Sequence, residues 1–539
     1  GKNFRLILEP PFLNLIKVMM NLKQIKEPVL TFANGQTAED PRDGLMLFGP
    51  NEQFERNTIK AGVVATKDGL EKYKAFVRRL QSPIFSKKIM YGKEFDNEVQ
   101  RPSYTGFEAT FGIEWNENPV LNQYLDLSTI ENILAIDRKP ERTRKLVDYY
   151  ANKIIESRGK DDKQIDLWFV VVPRSVYMEC RYNSKGKNIS SKEKKQIDLL
   201  KQGQVSLFED FDEELLALEK LKDDSTDFHN LIKAELLKNK IQSPIQVIVE
   251  PTLEIKDKLL LKELGDDMKA HLAWTQSVAV YYKLGNKPWI LNDVRKDVCY
   301  LGLIFKRVPD KSNKRSVCSA AQMFLEDGDG SIFRGNIGLF KSEDSVGYHL
   351  DEESAEKLLD MALSDYFESQ GNYPKELFMH GRVQFNDEEW KGFLNAIANH
   401  NANTQLNGIL IKDTRSDDRR KLKLCKETFG QKKNYGVMRG LCWIIDNESG
   451  YLFTRGFIPR LGSTNHLETA NPLYIEVNKG SASIETVMQD VLALTKLNYN
   501  ACIYGDGLPV TLRFSDLIGN ILTATKNWES EMRQFKYYI

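Results

Sequence analysis

Paired cysteines are what this chain most plainly lacks. Its six cysteines (Cys180, Cys299, Cys318, Cys425, Cys442 and Cys502) form no CxxC pair and no regular framework, which argues against a zinc ribbon and against a disulfide-stapled secreted domain. Histidine is scarce too. His271, His349 and His466 stand in no arrangement with a nucleophile, and the GxSxG signature of a serine hydrolase is missing. No charge of one sign dominates: 76 Lys plus Arg balance 76 Asp plus Glu, so the molecule is no polycation that coats nucleic acid by bulk charge. Any such binding must come from a local basic groove. Long apolar runs are absent as well. The stretch "LILEPPFLNLIKVMMNL" is broken by Glu9, Pro10, Pro11 and Lys17, too interrupted for a signal peptide or a membrane span, and the expectation is a cytoplasmic protein with no membrane association.

What is present is a globular composition, 41% hydrophobic and 28% charged over 539 residues, long enough for two or more domains. In "NTIKAGVVATKDGLEKYKAFVRRLQ", Ile59 to Thr66 read as a strand. Asp68 then reads as a helix cap, and Leu70, Tyr73, Phe76, Val77 and Leu80 recur at helical spacing. A second helix, "ERTRKLVDYYANKIIES", leads into "IDLWFVVVP", a strand buried on both faces. This alternation predicts a parallel, doubly wound α/β sheet. The charged stretch from about 184 to 239 reads as an inserted helical excursion, after which "SPIQVIVEP" resumes the sheet.

From about Cys299 the pattern changes. Strands "CYLGLIF", "SVCSAAQMFLED" and "SIFRGNIGLF" precede a helix from Glu352 to Gln370, the strand "ELFMHGR", another helix and the strand "LNGILIKD". Three hairpin strands followed by helix-strand units are the order of an RNase H-like fold. The acidic "DGDGS" between two of them imitates a calcium loop, but its twelfth position is Gly338 rather than Glu, so a hairpin turn is expected. "FEDFDEELLALEKLKDD" reads as a solvated amphipathic helix.

Three signals carry chemistry. In "VYMECR", Tyr177 and Arg181 lie four apart just after the buried strand, placed on a helix to stack a base and fork a phosphate. In "YYKLGNKPW", Lys283 and Lys287 flank a glycine turn at a helix end, and Gln246 puts an amide on an apolar strand. Each alone has a plain structural explanation.

Taken in order, Tyr177 with Arg181, Gln246, and Lys283 in "KLG" resemble the set with which Argonaute proteins hold a guide strand's 5′-phosphate and first base. "DGLMLFGP", "WFVVVP", "HLAWT", "CYLGLIF", "LTKLNYNACIYGDGLPVTLRFSD" and the final "FKYYI" extend the resemblance over most of the chain. It resembles a short prokaryotic Argonaute, the kind without a PAZ half, most like the Argonaute subunit of TIR–APAZ (SPARTA) systems. The resemblance implies a 1–56 segment, a Rossmann-like MID domain over 57–290 and an RNase H-like PIWI domain over 291–539. It implies a guide RNA with a 5′-phosphate, a single-stranded DNA target, and a TIR–APAZ partner whose NAD(P) hydrolase is activated, the heterodimer oligomerising on target in defence against plasmids or phages. It also implies a Mg²⁺ at the guide 5′ end, coordinated with the C-terminal carboxylate of Ile539. Two departures stand out. Arg181 replaces the usual Lys, and Ala279 stands where a second Lys is expected, so the resemblance implies a phosphate grip that leans on Lys283, Lys287 and the Mg²⁺.

By the same resemblance, a slicing PIWI domain would carry acids at Ile304, two residues after the glycine of "YLGLIF", and at His380 in "FMHGR". Only Asp516 matches a ligand position. Apolar Ile304 cannot bind a hard cation, and one His with one Asp cannot rebuild an oxygen-rich two-metal cage. The expectation is a non-slicing sensor rather than an enzyme. The alternatives are a guide-directed nuclease using His380 and Asp516 with Glu376 or Glu476, or the same sensor coupled to a sirtuin-like or nuclease APAZ effector.

Overall fold

The computed structural model describes residues 21–86, 102–158, 164–181, 227–292, 295–307, 316–324, 330–339, 349–414, 437–459, 463–464, 471–525 and 533–539. The chain starts with β1 (Leu22–Gln24), β2 (Leu30–Thr31), β3 (Thr37–Ala38) and helix α1 (Pro41–Phe48). The amino-terminal half follows as β4 (Ala61–Ala65), α2 (Lys67–Leu80), α3 (Phe107–Phe111), β5 (Leu121–Tyr124), α4 (Leu127–Leu134), α5 (Lys139–Glu156), β6 (Leu167–Val172) and α6 (Arg174–Glu179). It ends with α7 (Phe228–Lys238), β7 (Ile245–Val249), α8 (Glu250–Leu253) and α9 (Asp266–Lys283).

Its four strands run parallel in the order β5-β4-β6-β7. All five residues of β4 and all six of β6 are buried, as a sheet covered on both faces requires. Helix α2 buries Leu70, Tyr73, Phe76, Val77 and Leu80, the five predicted positions. Its cap is Thr66, whose side chain accepts from the Gly69 amide, and Asp68 sits in the first turn instead. There Asp68 complements the helix dipole and pairs with Lys72 at 2.6 Å. The expected insertion over 184–239 ends too late: α7 lies within that span, packs on α5, and buries Leu231, Ile232, Ala234, Leu236 and Leu237. The acidic run "FEDFDEELLALEKLKDD" falls outside the described residues.

The carboxy-terminal half contains β8 (Ile290–Leu291), β9 (Val298–Arg307), β10 (Ser316–Phe324), β11 (Gly330–Leu339), α10 (Glu352–Gln370), β12 (Glu376–Gly381), α11 (Asp387–Asn399) and β13 (Gln405–Asp413). After it come β14 (Leu441–Ile444), β15 (Ser449–Leu452), the ribbon β16 (Phe457–Ile458) and β17 (Ser463–Thr464), β18 (Leu473–Lys479), α12 (Ile484–Leu494), α13 (Val510–Arg513) and α14 (Ser515–Leu522). Nine strands form one sheet, β1-β14-β15-β18-β13-β12-β9-β10-β11. Strands β9, β10 and β11 are antiparallel neighbours, whereas β12 runs parallel to both β9 and β13. The hairpin order and the helix-strand units therefore stand as predicted, although most of the "DGDGS" turn lies outside the described residues. In the described part of the 1–56 segment, β1 lies at the far edge of the large sheet, and β2 pairs with both β3 and β8.

Candidate nucleic-acid interface

Strand β7 is an edge strand, so its outer side is open to receive side chains. Lys283, the last residue of α9, reaches it. Its Nζ donates to the Ile245 carbonyl at 3.0 Å and to Gln246 Oε1, and the side chain is 2% exposed. Lys233, in the middle of α7, is equally buried and donates to the main-chain oxygens of Tyr538 at 3.2 Å and Ile539 at 2.6 Å. Burial lowers the Lys283 pKa to about 7. The Lys233 pKa falls well below the usual ammonium range because of burial and the nearby Lys283 charge. One turn before Lys233, His229 is held neutral by burial and by the charges of Lys233, Lys283 and Lys258, only partly offset by its contact with Asn230. Two lysine amines, an imidazole and an amide thus gather beside β7, near enough for the lysines to act on each other and on His229. Among the described residues no Asp or Glu bonds either lysine.

The predicted residues divide accordingly. Gln246 and Lys283 meet directly, and Ile539 lies beside them through Lys233. Tyr177 and Arg181 pair with each other instead, the guanidinium 5.5 Å from the Tyr177 ring centroid. They sit past the end of β6. Gln246 is in register with Phe169, four residues before Pro173, which puts that exit about 13 Å further along the strand. Lys258 links the two places, with Nζ 5.9 Å from the Tyr177 ring centroid and its charge felt at His229. Lys287 is directed elsewhere: its Nζ lies 3.4 Å from Glu52, whose other oxygen accepts the Lys287 amide. Sequence reading missed His229 and Lys233. Their signal was the same i, i+4 spacing as Tyr177 and Arg181, in "FHNLIKAELL", 13 residues before Gln246 and hidden at the end of a charged stretch.

The Mg²⁺ that the resemblance implies would be held through the terminal carboxylate of Ile539, one oxygen of which accepts from Lys233. A small hard cation asks for near-octahedral oxygen ligands, usually including carboxylates. Here the Ile539 oxygen, the Tyr538 carbonyl, the Ile245 carbonyl and Gln246 Oε1 each accept from a lysine Nζ. Ala279, one turn before Lys283, offers no donor.

On the large sheet, Gly302 of "YLGLIF" pairs in register with His380. A Cβ at 302 would stand 2.0 Å from the Thr511 carbonyl, so only glycine lets α13 close over β9. That approach brings Thr511 Oγ1 to 2.8 Å from His380 Nδ1. His380 is 1% exposed, and burial lowers its pKa to about 3. Ile304 lies two residues beyond Gly302 in β9, opposite Ala320 of β10. Asp516, in the first turn of α14, is exposed and 3.5 Å from Arg382. The alternative acid set does not assemble around His380. Glu376 is at the opposite end of β12, bonded to Arg295, which also holds Asp490 at 2.6 Å. Glu476 accepts from Gln384 at 2.6 Å and from the Tyr474 hydroxyl at 2.8 Å. His349 pairs with Glu389 at 3.0 Å, and His466 lies outside the described residues.

A four-stranded parallel sheet joined to a large RNase H-like sheet is the MID–PIWI fold of Argonaute proteins. The chain superposes on the Clostridium butyricum Argonaute bound to a guide DNA and a 19-mer target DNA with a TM-score of 0.60 at 16% identity, over 97% of this chain and 55% of that one. An Aquifex aeolicus Argonaute matches with a TM-score of 0.54 at 15% identity, covering 96% and 55%. Drosophila Piwi matches with 0.54 at 12%, covering 96% and 56%. The chain thus spans a little over half the length of these proteins. No protein-family profile and no curated protein matches it.

Proposed function

We propose that this chain is a guide-directed sensor that anchors the 5′-phosphate of a guide RNA between its two halves and recognises single-stranded DNA by pairing without cutting it. The observation that supports this most is the convergence of Lys233, Lys283, Gln246 and His229 at the open edge of β7. Burial disfavours the charged forms of both lysines, and a bound phosphate would favour them, so the pair is poised for an anion. The neutral His229 ring, rather than Tyr177, is the platform for the first base. The RNase H-like centre serves as a scaffold. In-line cleavage needs metals at both the attacking and leaving oxygens. The position expected to hold an acid is filled by neutral His380, bonded to Thr511, and Ile304 has no oxygen to offer. An intact duplex then passes the signal to a TIR–APAZ partner with NAD(P) hydrolase activity, a reading that rests on the sequence resemblance.

The direct test compares binding of 5′-phosphorylated and 5′-hydroxyl guide RNA. The phosphate is expected to tighten binding by about 10- to 100-fold, the range for one or two charge-assisted contacts. Lys283→Met should erase most of that gain, with circular dichroism confirming that the variant is folded. Equal affinity for both guides would sink the anchor. Incubation of the guided chain with labelled complementary DNA and Mn²⁺ tests the second half, and discrete mid-duplex products would overturn the sensor reading.

A further inference from the structure

Beyond β7 the chain makes the short α8 and then a loop, 254–265, that puts three large apolar side chains into solvent. Leu259, Leu260 and Leu261 are 51%, 69% and 46% exposed. Single exposed leucines are ordinary, but three in a row form a patch that needs an occupant. The tip is also held firmly. The Asp257 amide donates to the Lys262 carbonyl at 2.9 Å, and its own carbonyl accepts the Leu261 amide at 3.0 Å. Its side chain accepts from the Leu259 and Leu260 amides at 2.9 and 2.6 Å. Ile255 and Leu261 take φ of +57° and +56°, left-handed values that such side chains adopt only where the surroundings impose them.

Those surroundings match a nucleic acid. Lys258 and Lys262, both exposed, bracket the leucines. From α6, Arg174 clasps the loop, Nε donating to the Lys258 carbonyl at 3.2 Å and Nη2 to the Leu259 carbonyl at 2.9 Å. The same short helix carries Tyr177, whose ring centroid lies 5.9 Å from Lys258 Nζ and 5.5 Å from the Arg181 guanidinium. Of the neighbouring acids, Glu254 pairs with Lys256 at 3.2 Å, Asp257 is bonded to amides, and Glu263 is exposed beside Lys262. The end of a duplex offers a flat apolar face edged by phosphates on both sides, and proteins meet base steps with apolar side chains flanked by cations. A protein partner would account for the leucines but leave the ring and the cations beside them unexplained.

We propose that this tip is an end stop for the guide–target duplex. Leu259, Leu260 and Leu261 cover the outer face of the first guide–target base pair, and Lys258 and Lys262 meet the phosphates of the two strands beside it. The proposal rests on the guide-anchoring function, in which the first guide base stays at His229 and pairing starts at the second nucleotide. Strand β7 carries Gln246 at the anchor and leads through α8 into the loop, which sets the tip beside the start of the duplex.

The test uses the full chain loaded with a 5′-phosphorylated guide RNA and two single-stranded DNA targets. One is complementary from the guide's second nucleotide, the other only from its sixth, so that its duplex ends away from the tip. The variant combines Leu259→Ser, Leu260→Ser and Leu261→Asn, asparagine being a residue that tolerates the left-handed turn. It is expected to bind the first target about tenfold more weakly than wild type, the scale of one leucine returned to water, and the second less than about twofold more weakly. No loss on the first target, or equal losses on both, would overturn the end stop. Lys258→Gln with Lys262→Gln should reduce the log–log salt slope of first-target binding by about 1 to 2, and an unchanged slope would refute the phosphate contacts. The leucine variant should keep the wild-type preference for 5′-phosphorylated over 5′-hydroxyl guide. A wild-type chain without that preference would overturn the anchor and the end stop together, whereas a preference kept with no leucine effect overturns the end stop alone. Self-association lost in the variant by sedimentation, with both targets bound as in wild type, would assign the leucines to a second copy of the chain and refute the proposal.

Discussion

His380 carries a titratable ring into the interior of the second half. It lies near the end of β12 in register with Gly302, is 1% exposed and shares a hydrogen bond with the Thr511 hydroxyl. Burial disfavours its charged form and brings its pKa to about 3, against about 6.5 in an unfolded chain. The sign follows from linkage: the unfolded chain binds the extra proton between these values. The stability that neutral His380 contributes is therefore complete above about pH 6.5 and is lost as pH falls toward 3. His380→Gln, which keeps a polar atom near Thr511 without titrating, should flatten the acid limb of stability. Urea unfolding at a series of pH values between 6 and 4 is expected to show a slope smaller by up to about 1.4 kcal/mol per pH unit. Identical slopes for the two proteins would mean that His380 is protonated or exposed in the folded chain.

Among the elements, the short segment around β1 has more influence than its length suggests. Glu27, just after β1, accepts from Arg439 Nε through both carboxylate oxygens at 3.0 Å and from Lys496 at 2.6 Å. The side chains of Arg439 and Lys496 are 3% and 0% exposed. Arg439 also donates to Thr495 Oγ1 at 2.6 Å, and Lys496 lies 3.6 Å from the Tyr504 ring centroid and donates to the Glu39 carbonyl. Removing one partner of a buried ion pair leaves an uncompensated charge, at a cost of about 3–5 kcal/mol. Glu27→Ala strands two such charges. It should lower the stability of the whole chain by at least that range, measured by denaturant unfolding, whereas Lys23→Ala, which breaks the exposed pair with Glu485, should cost under about 1 kcal/mol. A loss below about 1 kcal/mol for Glu27→Ala would show that Arg439 and Lys496 are satisfied by their other partners. The hub also marks what a sequence shows and what it hides. Strands such as β4 and β6 were legible because burial on both faces leaves an unbroken apolar run, and α2 because one buried face repeats every three or four residues. The contact of Glu27 with residues more than 400 positions away leaves no local pattern. Helix α7 was hidden for a related reason: its burial nearly surrounds the helix, so the one-sided stripe was faint, and charged residues precede it. At the anchor, Gln246 and Lys283 were legible by resemblance, but Lys233 depends on a contact with Tyr538 and Ile539, at the other end of the chain.

At the scale of the molecule, the two halves share one core. A single cluster of buried side chains runs from Val63 and Val170 in the first sheet through Trp274 and Trp289 to Ile475, Val491 and Ile518 in the second half. Polar ties reinforce it. The Trp289 indole donates to the Lys496 carbonyl at 3.0 Å, the Tyr499 hydroxyl to the Trp289 carbonyl at 2.8 Å, and the Tyr537 hydroxyl to the Gln242 carbonyl at 2.8 Å. Helix α7, which carries His229 and Lys233, packs on α14, which carries Asp516. Under the proposed function, a guide phosphate bound by Lys233 and Lys283 would touch both halves at once. If the core transmits that stabilisation, the chain should unfold in one calorimetric transition despite its two sheets. A 5′-phosphorylated guide at about 100 times its dissociation constant adds about 2.7 kcal/mol, enough to raise the midpoint of a chain of this size by about 2 °C. The same guide with a 5′-hydroxyl at equal concentration should raise it less. Two resolved transitions, with only one moved by the guide, would show that the halves unfold independently. The proposed anchor would then stabilise the first half alone, and guide binding would not be coupled to the large sheet through the core.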